Sequence, residues 1–477
     1  MTEPMFLVTV PFLAALIAAA HARSAGALGL AATLGNLVAS VALLHSLRLG
    51  GATETPLGGW SSPLGIAFTV DGLAALMILM TAVVGAFVAL QAQSWGAFTP
   101  RDPDVAQTRA GFWPMWLSTL GAMNALFLSN DLFNLYVAFE VLGLAAVGLT
   151  ALSGQRAALA AAFDYLCAGL AGSLLMLLGI ALAYAATGRV DIAAMPEMAG
   201  TMQGRVALAL MVAGLAVKAA LFPLHFWMPA AHSSATPAAS AVLSALVVKA
   251  GLYLALRISV EGGAGVEHLR TVLAVAGAGA MIWGSWKALR ATRLKLLVAY
   301  STVAQVGLIT LALGVSGEGA LWHAAAVVMV SHALAKAAMF LAVGRIAEEL
   351  GHDRISGLNR EDLRPGAAEF AFAIATISLI GLPPTAGFVG KWVLMEGLID
   401  RGAWIWVGLV LAGTALSAAY LLRVVSRCLR GGPHVAPGAR RPPWRTGDVA
   451  ALGLAAAALA LGLASALPLT LLEITVT

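Results

Sequence analysis

Apolar runs long enough to cross a bilayer recur from one end of this chain to the other, and they constrain its fold more than any other feature. LAALMILMTAVVGAFVAL (73–90) is one and NLYVAFEVLGLAAVGL (134–149) another. A helix of about 20 such residues spans the hydrocarbon core with every backbone group bonded internally. Composition agrees: 60% of residues are hydrophobic and 11% charged, with mean hydropathy +0.89, whereas a soluble domain carries about 25% charged residues. Alternating segments of about ten residues, as in membrane barrels, are absent. The expectation is an all-α integral membrane protein with about fourteen transmembrane helices.

The spans are read at 4–20, 25–48, 64–91, 112–129, 131–152, 158–187, 205–228, 237–258, 269–289, 294–314, 319–346, 368–398, 402–426 and 448–472. The first, MTEPMFLVTVPFLAALIAAAH, has no basic leader region or small-residue cleavage site and reads as a retained helix. Of the 28 Lys and Arg, four lie inside apolar spans; the other 24 divide as eighteen in connections after odd-numbered spans and six after even-numbered ones. The positive-inside rule then puts the odd connections, including 346–367 and 427–447, in the cytoplasm and both termini on the outer side of the cell inner membrane. The net charge of +5 thus belongs to membrane sidedness, and no nucleic-acid partner is expected.

Several chemistries find no support. GFVGK (387–391) lacks the spacing and the following Ser or Thr of a P-loop, and there is no HExxH. Cys167 and Cys428 stand far apart, without metal-site spacing. No cofactor or metal is expected.

The chemistry-bearing residues are charges within the apolar runs: Glu140, Lys218, Lys249, Lys336 and Lys391. One such charge at a helix centre costs roughly 2.5–3.5 kcal/mol on insertion scales, and such groups normally line ion pathways or proton relays. A buried lysine suits that task because desolvation weakens its hold on a proton and a nearby carboxylate strengthens it. Glu140 and Lys218 are expected to pair, with a purely structural ion pair as the alternative. Lys391 lies near enough to its helix end to snorkel instead. His332 and Lys336, at i and i+4, share a helical face, as a relay or a satisfied polar pair. His225 follows Lys218 by seven residues, but Pro223 intervenes. His232 reads as a loop residue, Asp71 as an ordinary helix cap, and Lys295 as a cytoplasmic charge able to guard an entry.

Two spans are interrupted, by Pro223 soon after Lys218 and by Pro383-Pro384 before Lys391. Proline removes a donor and clashes with the preceding turn, and freed backbone groups in a membrane persist only against protein or water. Paired breaks in two halves mark a transporter's midplane site. Five spans separate them, which suggests repeats at 112–258 and 259–428 between an N-terminal section, 1–111, and a C-terminal one, 429–477. In that register Glu140 falls opposite Gln305.

DLFNLYVAFE (131–140), KAALFPLHFWMPAAH (218–232), LVVKAGLY (246–253), KLLVAYSTVAQVGLI (295–309), SHALAKAAMF (331–340) and GLPPTAGFVGKW (381–392) resemble signatures of the antiporter-like subunits. These are shared by respiratory complex I, membrane-bound hydrogenases and Mrp-type multisubunit cation/proton antiporters. The likeness is greatest to the D-type subunit of the Mrp antiporters. The resemblance implies two inverted five-helix repeats with broken helices 7 and 12. It also implies a proton path using Glu140, Lys218, Lys249, His332, Lys336 and Lys391, and work within a hetero-oligomeric membrane complex that exchanges protons for Na+. Lysine at 391 and Gln305, where complex I relatives often carry glutamate and histidine, favour the Mrp branch. Asp164 is a departure, standing where many relatives carry a basic residue. A redox-driven complex using the same module is the alternative.

Overall fold

The computed structural model describes residues 2–60, 65–94, 103–317, 321–358, 365–430 and 444–475. The connection expected at 427–447 falls largely outside them. Eleven helical segments among the described residues are long and apolar enough to cross a membrane. The helix Pro103–Leu128 and two broken spans bring the count to fourteen. In chain order these are α1 (Glu3–Ala20), α2 (Ala25–Gly50), α3 (Gly72–Gln93), α4 (Pro103–Leu128), α5 (Leu132–Ala151) and α6 (Arg156–Thr187). The first broken span follows as α7a (Met202–Lys218) and α7b (Met228–Ser234). Next come α8 (Pro237–Glu261), α9 (Glu267–Arg290), α10 (Leu294–Val315), α11 (Leu321–Leu350) and the second broken span, α12a (Ala367–Ile380) and α12b (Ala386–Asp400). The set closes with α13 (Trp404–Arg430) and α14 (Thr446–Leu463).

Local chemistry sets the boundaries. The Asp71 carboxylate accepts from Ala74 N–H at 2.8 Å and Asp131 from Asn134 N–H at 2.7 Å, each satisfying an orphan donor of a first turn. Thr201 and Thr385 cap α7a and α12b in the same way. Both breaks contain a cis X-Pro bond, Phe222-Pro223 and Pro383-Pro384.

Burial separates centre from rim. The apolar windows of α8 and α11 are 100% buried and that of α10 is 89% buried, whereas those of α1, α2 and α13 are 33% buried. The central helices are thus the ones that carry Lys249, His332 and Lys336. Small residues let backbones approach elsewhere. A methyl group on Gly172 would meet the Gly214 carbonyl at 2.8 Å, seating α6 on α7a. One on Gly277 would meet the Leu311 nitrogen at 2.4 Å, seating α9 on α10.

The two repeats are visible in their backbones. Before α5 and after α6, Leu132 N–H donates to Val190 O at 2.8 Å and Ile192 N–H to Asn130 O at 3.0 Å. Before α10 and after α11 the pattern recurs, from Leu294 to Asp353 O at 2.7 Å and from Ile355 to Thr292 O at 2.9 Å. An offset of five helices inverts the second unit in the membrane. These pairs set the register: Glu140, eight residues beyond Leu132, corresponds to Thr302, eight beyond Leu294. Gln305, expected opposite Glu140, lies three residues further along, nearly one turn. The prolines counted five spans apart fix the helices but not the residue phase.

Other expectations are also revised. A short hairpin, β1 (Thr53–Pro56) with β2 (Ala67–Val70), pairs Thr53 with Val70 where the third span was expected to begin. The last span divides, and its tail folds back so that Gly72 N–H donates to Ile474 O at 2.8 Å. Arg257, counted among connections, is inside α8 and paired with Asp71 at 2.5 Å.

Candidate functional site

Lys218 is the last residue of α7a, where the unpaired carbonyls of a helix end favour a cation. Its Nζ donates to Glu140 Oε1 at 2.9 Å, and Ser173 Oγ of α6 donates to the same oxygen. The Phe139 ring lies 5.3 Å from Nζ, and Trp227 Nε1 donates to the Val217 carbonyl at 3.0 Å, satisfying one group freed by the break. The Lys218 side chain is 8% exposed and that of Glu140 26%, so the pair is open on its carboxylate side.

The second cluster is the most enclosed. A π-helical turn, Leu243–Val247, precedes Lys249, and a wider turn of this kind frees carbonyls that an α-helix would bond. Lys249 Nζ donates to one of them, Ser244 O, at 2.7 Å and contacts His332 Nδ1 at 2.6 Å. One turn along α11, Lys336 Nζ donates to Val298 O at 3.1 Å and to Ser301 Oγ, both on α10. His332 and Lys336 thus hold different partners although they share a face. His232, expected in a loop, is on α7b, 1% exposed and edge-on to Phe340. Both His232 nitrogens and His332 Nε2 lack a protein partner. Buried polar atoms of this sort are commonly met by ordered water.

The third group surrounds Lys391 on α12b. Its Nζ donates to Leu379 O at 3.0 Å and Ile380 O at 2.7 Å, the free carbonyls that end α12a, and reaches Thr414 Oγ1 at 3.5 Å. Lys391 is therefore folded back onto the break and does not snorkel. Gln305 Nε2 donates to the same Leu379 carbonyl at 3.2 Å and to Ser417 Oγ at 3.3 Å. Gln305 belongs with Lys391, not with Glu140.

The remaining expected residues lie apart. Asp71 is a cap and also the partner of Arg257, whose guanidinium bonds Tyr253 at 3.0 Å. Tyr253 in turn donates to Phe127 O at 2.9 Å. Lys295 donates to Ala235 O at 2.8 Å, tying the start of α10 to the end of α7b. His225 stacks near Phe222, and its Nδ1 is unpartnered. Asp164 is exposed on α6, and the Glu140–Lys218 ion pair does not include it. The sequence reading missed the hydroxyls that complete each cluster: Ser173, Ser301, Thr414 and Ser417. A lone serine in an apolar run carries no such signal.

The NADH:quinone oxidoreductase/Mrp antiporter transmembrane family matches residues 129–417, more than half of the chain. NADH-quinone oxidoreductase subunit N of Desulforudis audaxviator is 34% identical over 92% of this chain and 89% of its own length. The D-type subunit of the Na(+)/H(+) antiporter of Bacillus subtilis is 28% identical over 87% and 83%. A chain of the Mrp complex from a Dietzia species superposes with TM-score 0.88 at 26% identity, covering 99% of this chain and 97% of that one. With that family match over more than half of its length and a 34%-identical relative, the chain belongs to the NADH:quinone oxidoreductase/Mrp antiporter transmembrane family.

Proposed function

We propose that this chain is the proton-translocating subunit of a multisubunit Na+/H+ antiporter in the plasma membrane. The observation that carries the reading is the set of buried lysines spread over both repeats, of which Lys249, Lys336 and Lys391 are held by backbone carbonyls, hydroxyls and a histidine nitrogen. Lys218 alone has a carboxylate, Glu140. A proton moves from Lys218 toward Lys249, crosses between repeats through His332 and Lys336, and reaches Lys391 over water at the unpartnered histidine nitrogens. Glu140 strengthens the hold of Lys218 on a proton and so sets loading against release. Likeness to the D-type subunit of a Na(+)/H(+) antiporter over 87% of the sequence supports the coupling to a cation. Lipid surrounds the exposed rim, and the other subunits of the complex are the protein partners.

The 34% identity to a subunit N favours a second reading, the same module driven by electron transfer. Purification of the tagged chain with its companions, reconstitution into vesicles and imposition of a Na+ gradient separate the two. The antiporter reading expects Na+-driven proton movement with no electron donor. Proton movement that requires a donor and a quinone, with co-purified redox subunits, would replace it.

A further inference from the structure

The first turns of α7a and α9 lie side by side, yet each helix is packed on a neighbour of its own repeat, α7a on α6 and α9 on α10. Between them runs a groove of about 620 Å³, within the roughly 300–1,000 Å³ that hold drug-sized ligands. The turn Gly263–Val266, seated on Ala199 through Gly265, forms one wall. The sides are apolar: Met202, Val206 and Ala209 share a face of α7a, and Leu269 and Val272 come from α9. Met202 is 72% exposed and Val272 63%, so the groove is open at the rim of the bundle. Its charged residues are Arg205, in the first turn of α7a, and Glu267, the first residue of α9, with His268 beside it. All three are exposed, and their side chains enter no ion pair or hydrogen bond among the described residues.

An acyl chain alone would leave both charges unanswered, and an anionic headgroup would satisfy Arg205 but meet Glu267 as a like charge. A headgroup that carries a phosphate and a primary ammonium answers both. We propose that this groove holds one molecule of phosphatidylethanolamine. The Arg205 guanidinium, whose planar fork matches a phosphate, donates to the phosphate oxygens, and the lipid ammonium donates to the Glu267 carboxylate. Phosphatidylcholine has the same net charge, but its quaternary nitrogen has no N–H to give. Charges in the first turn of a span sit at headgroup depth. From Met202 to Ala209 the apolar face of α7a then runs about 10 Å along the helix, following the upper part of the acyl chains. Because α7a belongs to the first repeat and α9 to the second, the lipid joins the two repeats at this end of the bundle.

The lipid site is independent of the ion that the complex carries. Its test is photo-cross-linking of the purified, assembled complex in phosphatidylglycerol vesicles. The probe is a phosphatidylethanolamine with a diazirine near the top of one acyl chain, and peptide mass spectrometry maps the adducts. They are expected on 202–209 and 265–272, and unlabelled phosphatidylethanolamine should displace them where phosphatidylcholine does not. Glu267→Gln and Arg205→Gln should each lower labelling there about tenfold, the scale of one charge-assisted hydrogen bond. Both residues are exposed, so assembly should be unchanged; if a variant fails to assemble, the competition on the wild-type complex decides. Adducts missing from these two segments, displaced equally by phosphatidylcholine, or unchanged in both assembled variants would overturn the site. So would a companion subunit cross-linked to the groove in place of lipid.

Discussion

At the scale of single residues, what distinguishes this chain is how its buried charges are satisfied. Among the described residues, Lys218 is the one of the four lysines within spans that has a carboxylate partner, at 2.9 Å, whereas Arg257 pairs with Asp71. Lys249, Lys336 and Lys391 rest on carbonyls and hydroxyls, which hold an ammonium yet release a proton more readily than a fixed negative charge would. Removal of either member of the Glu140–Lys218 pair is therefore expected to lower proton flux by about a hundredfold, the range for loss of a positioned proton-transfer group. Glu140→Asp should keep partial activity, since the charge survives with a shorter reach. Were the pair only structural, the double replacement Glu140→Ala/Lys218→Ala would restore flux, because apolar replacement of a buried ion pair is often tolerated. Vesicle proton uptake by the double variant at normal complex assembly checks this, and recovery to near wild type would remove the pair from the path. The sequence revealed these charges because a lysine in an apolar run is conspicuous. It concealed Ser173 and Ser301, since a buried serine is ordinary, and it misplaced Arg257 because that residue falls just where a span end was drawn.

At the scale of elements, the two broken helices do the shaping. The first break holds Ala220 at φ +53°, the second Gly381 at φ +83°. A non-glycine residue in the left-handed region costs roughly 1–2 kcal/mol, so Ala220→Gly should stabilise the assembled complex by about 1 kcal/mol, read as a higher thermal midpoint. Gly381→Ala should do the opposite. Its Cβ would lie 2.7 Å from Lys391 Cδ, so the lysine must leave its carbonyls, and transport should fall further than stability does. Equal tolerance of both substitutions would mean that the breaks are not held in these conformations. Proline disclosed both breaks in the sequence, but the backbone around them was not legible. Likewise the π-helical turn before Lys249 was not legible, since nothing in LSALV departs from an ordinary helical run. The hairpin of Thr53–Pro56 with Ala67–Val70 is four residues a side, too short for its alternation to show.

At the scale of the whole molecule, the inverted repeats place matching backbone pairs on opposite membrane faces. One pair joins Asp131 to Asp191 and the other Arg293 to Arg354, and the positive-inside rule predicts that the acidic pair is outer and the basic pair inner. In a background without Cys167 and Cys428, a cysteine at Glu197 should react with an impermeant reagent on intact cells, and one at Gln155 only after the membrane is opened. Labelling of position 155 from outside would invert the topology. Among the contacts between the repeats is the one of α8 with α11, where Lys249 touches His332 at 2.6 Å, and the proposed path from Glu140 and Lys218 to Lys391 passes it. The most direct measurement is Na+-driven proton uptake by the reconstituted complex carrying Lys249→Met, an apolar replacement of similar length that leaves α8 and its packing in place. The account predicts that this complex assembles and binds its companions normally but moves protons at about a hundredth of the wild-type rate or less. Uptake at the wild-type rate would mean that protons do not cross between the repeats through this chain.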